Sequence, residues 1–421
     1  MQRRDLRTRK LDDLKCTRCG TTYSDDRRLY CCPKCDGVLD VRYNTEFLKE
    51  TITKKTFEAK SENLWKYFDL LPIIKKESIV TLNEGRTPLV RTNGIEREYG
   101  VKEIYIKDET RNPTGSFKDR PSTIGITKAR ELGATTVAIA SSGNAAASLS
   151  AYAAKASMNC IVAVPAAVSE AKLMQIMVFG PTVVKVKGSY SNSFNLIKNA
   201  CKKYGFQNLT TVSSANPYQC EGDKTVAYEL CEQLNWKAPD WIAVPLGAGP
   251  LLVGVWKGFK ELYELDLIKN LPKMIGVQAE GCAPIVRAFK AGREDVEAWG
   301  TPQTIALSIA DPLIGYPQDG TLTLNTIRDS HGFADDATDP EMIQAVKAIA
   351  HCEGIFAEPA AAASIAVVKK LKNAGVIAVD DCVVSLVTGT GLKSPDFVGQ
   401  QSEINVIDED LNQLEKIFHP S

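Results

Sequence analysis

The chain has 421 residues, 44% of them hydrophobic and 24% charged, with Lys+Arg and Asp+Glu equal at 51 each. That length implies two domains, or two plus a small module. The charge balance argues against a dedicated nucleic-acid or anionic-membrane binder, and no apolar run reaches the roughly 18–20 residues of a membrane helix.

The opening stretch MQRRDLRTRKLDDLKC has Arg but no apolar segment behind it, so it does not read as a secretory signal. Three Asp before Cys16 weaken a transit-peptide reading. The expected compartment is a reducing cytoplasm, where the 12 Cys are thiols or metal ligands rather than disulfides. Five Cys crowd into the first 35 residues. Cys16-Thr-Arg-Cys19-Gly and Cys32-Pro-Lys-Cys35-Asp-Gly form two C-x-x-C knuckles separated by twelve residues. Four thiolates close a tetrahedral shell around Zn²⁺ and leave no position for water, so the metal expected here is structural, in a ribbon over 10–45. Cys31 is a bystander or a replacement for Cys32. The seven remaining Cys sit in or near apolar stretches and read as small buried hydrophobes.

Residues 46–85 carry mixed charge and aromatics and read as a helix and connection. Beyond them, apolar strands alternate with helical patterns. EIYIKDE, TTVAIASS, NCIVAVP, TVVKVKG, DWIAVPLG, KMIGVQAEG and CVVSLVTG are strand candidates. SFKDRPSTIGITKARELG, AAASLSAYAAKAS, SNSFNLIKNACKKYG and LLVGVWKGFKELYEL are helix candidates. Nearly continuous apolar strands are covered on both faces, so the expected fold is α/β with two open, largely parallel sheets and flanking helices. The domains expected are a large one over 46–124 and 235–400, a small one over 125–234, and a tail over 401–421.

Ligands of such sheets bind beyond the carboxyl ends of strands, beside helix N-termini. Three turns occupy such places. Ser141-Ser142-Gly143-Asn144 enters an Ala-rich helix and offers free N–H groups to a carboxylate or phosphate, or serves as a plain N-cap. Gly247-Ala248-Gly249-Pro250-Leu251 can cradle a phosphate, with one donor missing at Pro250. Thr388-Gly389-Thr390-Gly391 offers hydroxyls to a ring nitrogen or to its own turn. Lys118, in PTGSFKDR, completes the set. Desolvation beside Phe117 and near helix N-termini would lower its pKa and let it form a Schiff base. A pyridoxal 5′-phosphate (PLP) enzyme needs such a lysine, a phosphate cradle, a group against the ring hydroxyl and a partner for the pyridine nitrogen.

Taken together, these motifs resemble the fold type II PLP enzymes, and most closely the threonine synthase family. The resemblance runs from about residue 10 to 398 and includes LNEGRTPLV (82–90), KDETRNPTGSFKDR (107–120), SSGN (141–144), NPYQCEGDKTVAYEL (216–230), EGIFAEPAAAAS (353–364) and VTGTGLKSPD (387–396). It implies that Lys118 forms the internal aldimine and that Asn144 contacts the ring hydroxyl. The N–H groups of Gly247, Ala248, Gly249 and Leu251 would hold the cofactor phosphate, and Thr388 would face the pyridine nitrogen. Ser141, Ser142 and Gly143 would receive the substrate carboxylate, with Ala145 beside them. Arg86, Lys107, Arg120 and Lys224 are the candidate cations for a substrate phosphate. The implied reaction converts O-phospho-L-homoserine and water to L-threonine and phosphate. The implied assembly is a homodimer acting on a small amino acid, with no nucleic-acid or membrane partner.

This chain departs from the family pattern in four places. Ala145 and Ala146 replace two hydroxyl residues, and Gly-Ala-Gly-Pro-Leu replaces Gly-Asn-Gly-Gly-Asn. Thr390 replaces His, and Asp223 replaces Gln. Each change removes a polar contact or adds negative charge. A different substrate for the same cofactor, in a β- or γ-elimination or replacement, therefore stands as the alternative. A non-catalytic binding protein on the same scaffold is a third reading, opposed by the intact Lys118 and Asn144.

Overall fold

The computed structural model describes residues 10–25, 29–58, 63–168, 170–188, 190–394 and 405–418. The stretch read for a signal and the tail therefore fall partly outside the described residues. Strands β1 (Leu11–Cys16), β2 (Thr22–Tyr23) and β3 (Leu39–Tyr43) make a small antiparallel sheet in the order β2-β1-β3. Next come β4 (Leu89–Arg91) and β5 (Glu103–Asp108), then β6 (Thr136–Ala140), β7 (Asn159–Pro165), β8 (Thr182–Val186) and β9 (Gln207–Asn208). The last four are β10 (Trp241–Pro245), β11 (Lys273–Ala279), β12 (Phe333–Ala337) and β13 (Cys382–Val387).

The larger sheet has the order β12-β11-β10-β13-β5-β4 and is parallel except for the edge strand β4. The smaller sheet, β8-β7-β6-β9, is wholly parallel. The central strands match the apolar runs. Every residue of Trp241–Pro245 is buried, because helices such as Pro250–Glu264 and Pro359–Asn373 cover the sheet. Strand β12 has the sequence FADDA, whose two acids hide its strand character. Lys290 holds them at 2.6 Å (Asp335) and 2.7 Å (Asp336).

One helix starts later than its pattern implies. The pattern opens at Ser116, but the helix spans Asp119–Glu131. Ser116 bridges Gly389, and the Phe117 N–H donates to the Thr388 carbonyl at 2.9 Å. These bonds hold the chain extended against the end of β13, so the helix begins after Lys118.

Charge is also buried. Arg120 is fully buried and meets Glu109 and Glu229, each at 2.7 Å. Lys107 Nζ reaches Glu229 at 2.7 Å and donates to the Thr87 carbonyl at 2.7 Å. Burial pushes the Glu229 carboxyl up, but Arg120 and then Lys107 reverse this and hold it well below the usual carboxylate range. A carboxyl depressed in the folded state stabilises the fold above the ordinary carboxylate range, and that contribution is lost as pH falls through the folded value. The cluster therefore acts in full at neutral pH. Glu229→Ala would leave two buried cations short of their partner and lower stability by about 3–5 kcal/mol. The exposed pair Arg293–Glu297 provides the contrast, with Glu297→Ala costing less than about 1 kcal/mol. Thermal and denaturant unfolding of both variants checks the difference.

Candidate functional site

The three turns and the lysine converge on one cavity of about 720 Å³. Backbone bonding between two loops starts the construction. Beyond the Ser116 and Phe117 bonds, Thr390 N–H donates to the Gly115 carbonyl at 3.0 Å. The loop before Lys118 and the loop after β13 are thus stitched strand-to-strand, and Lys118 and Thr388 both line the cavity. Lys118 Nζ donates to Thr211 Oγ1 at 3.2 Å and lies 4.5 Å from the Phe117 ring centroid. Burial lowers its pKa; Asp223, then Cys220, Asp311 and Glu358, act in the opposite direction.

Ser141, Ser142, Gly143, Asn144 and Ala145 line the facing wall. They lead into the helix Asn144–Lys155, which has Gly143 at its N-cap and no side-chain cap. Ser141 Oγ instead accepts from the Gly143 N–H at 3.3 Å. The helix therefore presents its N-terminus to the cavity, which suits an anion. Gly247, Ala248, Gly249 and Leu251 line a third side, at the start of the helix Pro250–Glu264. Thr323 Oγ1 donates to the Ala248 carbonyl at 2.7 Å and fixes this turn.

All four of the expected substrate cations are elsewhere, which corrects the sequence reading. Arg120 is enclosed in the Glu109–Glu229 cluster. Lys224 is fully buried, 2.8 Å from Glu221 and 2.9 Å from Glu261, over the Tyr43 ring. Arg86 is exposed, at a positive φ of 50°. None of the three lines the cavity, and neither does Lys107. Among the described lining residues, the cation besides Lys118 is Lys393, whose Nζ donates to Gln175 Oε1 at 2.9 Å. Burial lowers its pKa, against Glu358 and Asp119.

Sequence reasoning missed two acids. Glu358 Oε1 accepts from Asn144 Nδ2 at 2.9 Å, and its Oε2 from Ser308 Oγ at 2.9 Å. A Cβ on Gly389 would lie 2.5 Å from Glu358 Oε1, so a side chain there would displace the Glu358 carboxylate from Asn144. Asp311 accepts from Tyr316 OH at 2.8 Å and Leu313 N–H at 3.0 Å beside Gly247. The motif EGIFAEP contained the signal for Glu358, a charged residue directly before a helix-opening proline. Asp311 lies in a loop with no such pattern.

Away from the cavity, the Sγ atoms of Cys16, Cys19, Cys32 and Cys35 all lie within 4.8 Å of one another, a grouping that could hold a metal ion. Cys31 is turned toward Asp36. A Cβ on Gly37 would lie 2.8 Å from Cys16 Sγ, so glycine is required where the second knuckle closes.

Residues 80–389 match the family model "Pyridoxal-phosphate dependent enzyme". The chain is 42% identical to a threonine synthase of Methanocaldococcus jannaschii over 96% of this chain and 98% of that one. It is 41% identical to a threonine synthase of Methanosarcina acetivorans over the same shares. Maize serine racemase shares the fold, with a TM-score of 0.65 at 20% identity over 80% of this chain and 94% of that one. Among the described residues no helix is long and apolar enough to cross a membrane. With the lysine, the three turns and these relatives in agreement, the chain belongs to the threonine synthase family of PLP-dependent enzymes.

Proposed function

We propose that this protein converts O-phospho-L-homoserine and water to L-threonine and phosphate. The convergence of Lys118, Asn144, the Gly247–Leu251 turn and Thr388 on one cavity carries the reading, and the relatives named threonine synthase suggest the product. The cavity fits the cofactor. Gly249 has φ +94°, and a Cβ there would lie 2.3 Å from Thr323 Oγ1, so glycine is needed for the turn to keep the shape that leaves its N–H groups for a phosphate. Lys118 would hold the cofactor's carbonyl carbon, Asn144 its ring hydroxyl, the turn its phosphate and Thr388 its ring nitrogen.

When bound, the cofactor supplies an electron sink for charge developing beside the substrate's amino-bearing carbon. The remaining work falls to the chain. The N-terminus of helix Asn144–Lys155 receives the substrate carboxylate. Lys118 Nζ, whose pKa burial lowers, takes and returns protons at the α- and β-carbons. Lys393, which lines the cavity, would meet the leaving phosphate.

One observation favours a second reading. Asp311 and Glu358 both line the cavity, and a phosphate-bearing substrate prefers cations and donors. An amino acid with a different leaving group, eliminated or replaced at the β- or γ-carbon, suits that wall better.

The protein supplied with PLP and O-phospho-L-homoserine should release phosphate and threonine in equal amounts. Lys118→Ala should lose the absorption band near the visible edge and at least about 10³-fold in turnover. A coloured protein that releases no phosphate would move the assignment to the second reading. Gly249→Ala should weaken cofactor binding at least about tenfold, read by PLP titration of the apoprotein. We also propose that the four Cys hold structural Zn²⁺. Metal analysis should then find about one zinc per chain, and Cys35→Ser should lose it along with several degrees of melting temperature.

A further inference from the structure

One contact of the lysine has no task in the chemistry above. Among the described residues, the hydrogen-bond partner of Lys118 Nζ is Thr211 Oγ1, at 3.2 Å, and both residues line the cavity. Thr211 belongs to none of the three turns. It lies just after β9, between Thr210 and Ser214, and both of those are pinned. The Thr210 N–H donates to Asn208 Oδ1 at 3.0 Å, its Oγ1 accepts from the Ala140 N–H at 3.1 Å, and its carbonyl accepts from Gln219 Nε2. The Ser214 N–H donates to Asp319 Oδ1 at 3.1 Å. Asn216 closes the loop by donating from Nδ2 to the Asn208 carbonyl at 3.0 Å. These anchoring side chains are buried, so the loop holds the Thr211 hydroxyl in place without help from Lys118.

A hydroxyl suits this lysine in a way a carboxylate does not. An ammonium offers only donors, and an amine offers donors and a lone pair. A hydroxyl accepts from either and can also donate to the lone pair. A carboxylate only accepts, and it favours the ammonium. Turnover brings the lysine nitrogen into two situations. As the substrate's nitrogen bonds to the cofactor's carbonyl carbon, the bond from Lys118 to that carbon breaks, and one proton passes from the entering nitrogen to the leaving one. The lysine nitrogen is then a free amine in a buried place, where a missing partner is costly.

We propose that Thr211 is a positioning residue for Lys118: its hydroxyl receives the lysine nitrogen when that nitrogen is free of the cofactor and holds it at the cavity wall for proton transfer at the substrate's carbons. Thr211 thus stabilises the released lysine and not the bonded one. Its loss has two effects of opposite sign. The bond between lysine and cofactor becomes easier to keep, and the lysine becomes harder to release and to aim. The inference rests on Lys118 being the cofactor lysine.

The test compares Thr211→Val, which keeps the branched shape and removes the hydroxyl, with Thr211→Ser, which keeps the hydroxyl. PLP titration of the apoprotein, followed by the visible-edge band, should show the Val variant binding about threefold or more tighter than wild type. Its kcat with O-phospho-L-homoserine should fall about tenfold. The Ser variant should stay within about twofold of wild type in both. Damage to the loop would weaken cofactor binding, so the sign of the change separates positioning from structure. If Thr211→Val does not fold, Thr211→Ala carries the same expectation. A folded Val or Ala variant that binds PLP no more tightly than the Ser variant overturns this inference alone. The titration needs no turnover, so it decides the inference even where the substrate assignment fails. A wild-type holoenzyme without a band that depends on Lys118 overturns the cofactor-lysine reading and this inference with it.

Discussion

The site depends on the position of one buried guanidinium. Arg120 lies two residues after Lys118, and its five N–H donors are held by Glu109, Glu229, Thr87 and Thr225. Glu109 directly follows β5, and Glu229 lies in the helix Thr225–Gln233. The guanidinium thus ties the large sheet, the helix after Lys118 and a helix from the opposite side of the chain into one rigid joint. Such a cluster contributes little net stability compared with apolar packing, but it is intolerant of rearrangement, because any shift strands a charge. That intolerance is useful next to a lysine whose reach and direction the chemistry needs fixed.

The central strands were legible in the sequence because burial on both faces makes them continuous apolar runs. The three turns were legible because glycine and small polar residues at strand ends have few other uses. The four thiols were legible by spacing. Edge strands were harder to read. The β4 stretch Leu89–Arg91 is three residues long, and β12 carries two acids that a distant lysine neutralises. Their strand character comes from neighbours that no local window contains.

The cations were misread for a related reason. Arg120 and Lys224 stand in motifs next to the chemistry, and a lysine or arginine near a phosphate-handling turn suggests a substrate contact. Whether such a residue faces a cavity or a pair of carboxylates depends on partners supplied by other elements, Glu229 in the case of Arg120 and Glu261 in the case of Lys224. Charge sign can be read from a sequence, but its partner cannot. The same limit hid Asp311 and Glu358, which enter the cavity from loops and a helix start far from the lysine in sequence.

The ribbon shows how a small module can matter to a distant site. Tyr43, at the end of β3, donates its hydroxyl to Glu221 at 2.8 Å, and Lys257 spans Asp40, the Val41 carbonyl and Glu221, each at 2.7 Å. Lys224 lies 3.7 Å over the Tyr43 ring. The ribbon therefore grips the residues on either side of Asp223, through charges that are themselves buried. A segment held from behind in this way cannot move without breaking several charge-assisted bonds at once. The thiol cluster, by closing the ribbon, would fix the back of the active site while the loops around β13 fix its front.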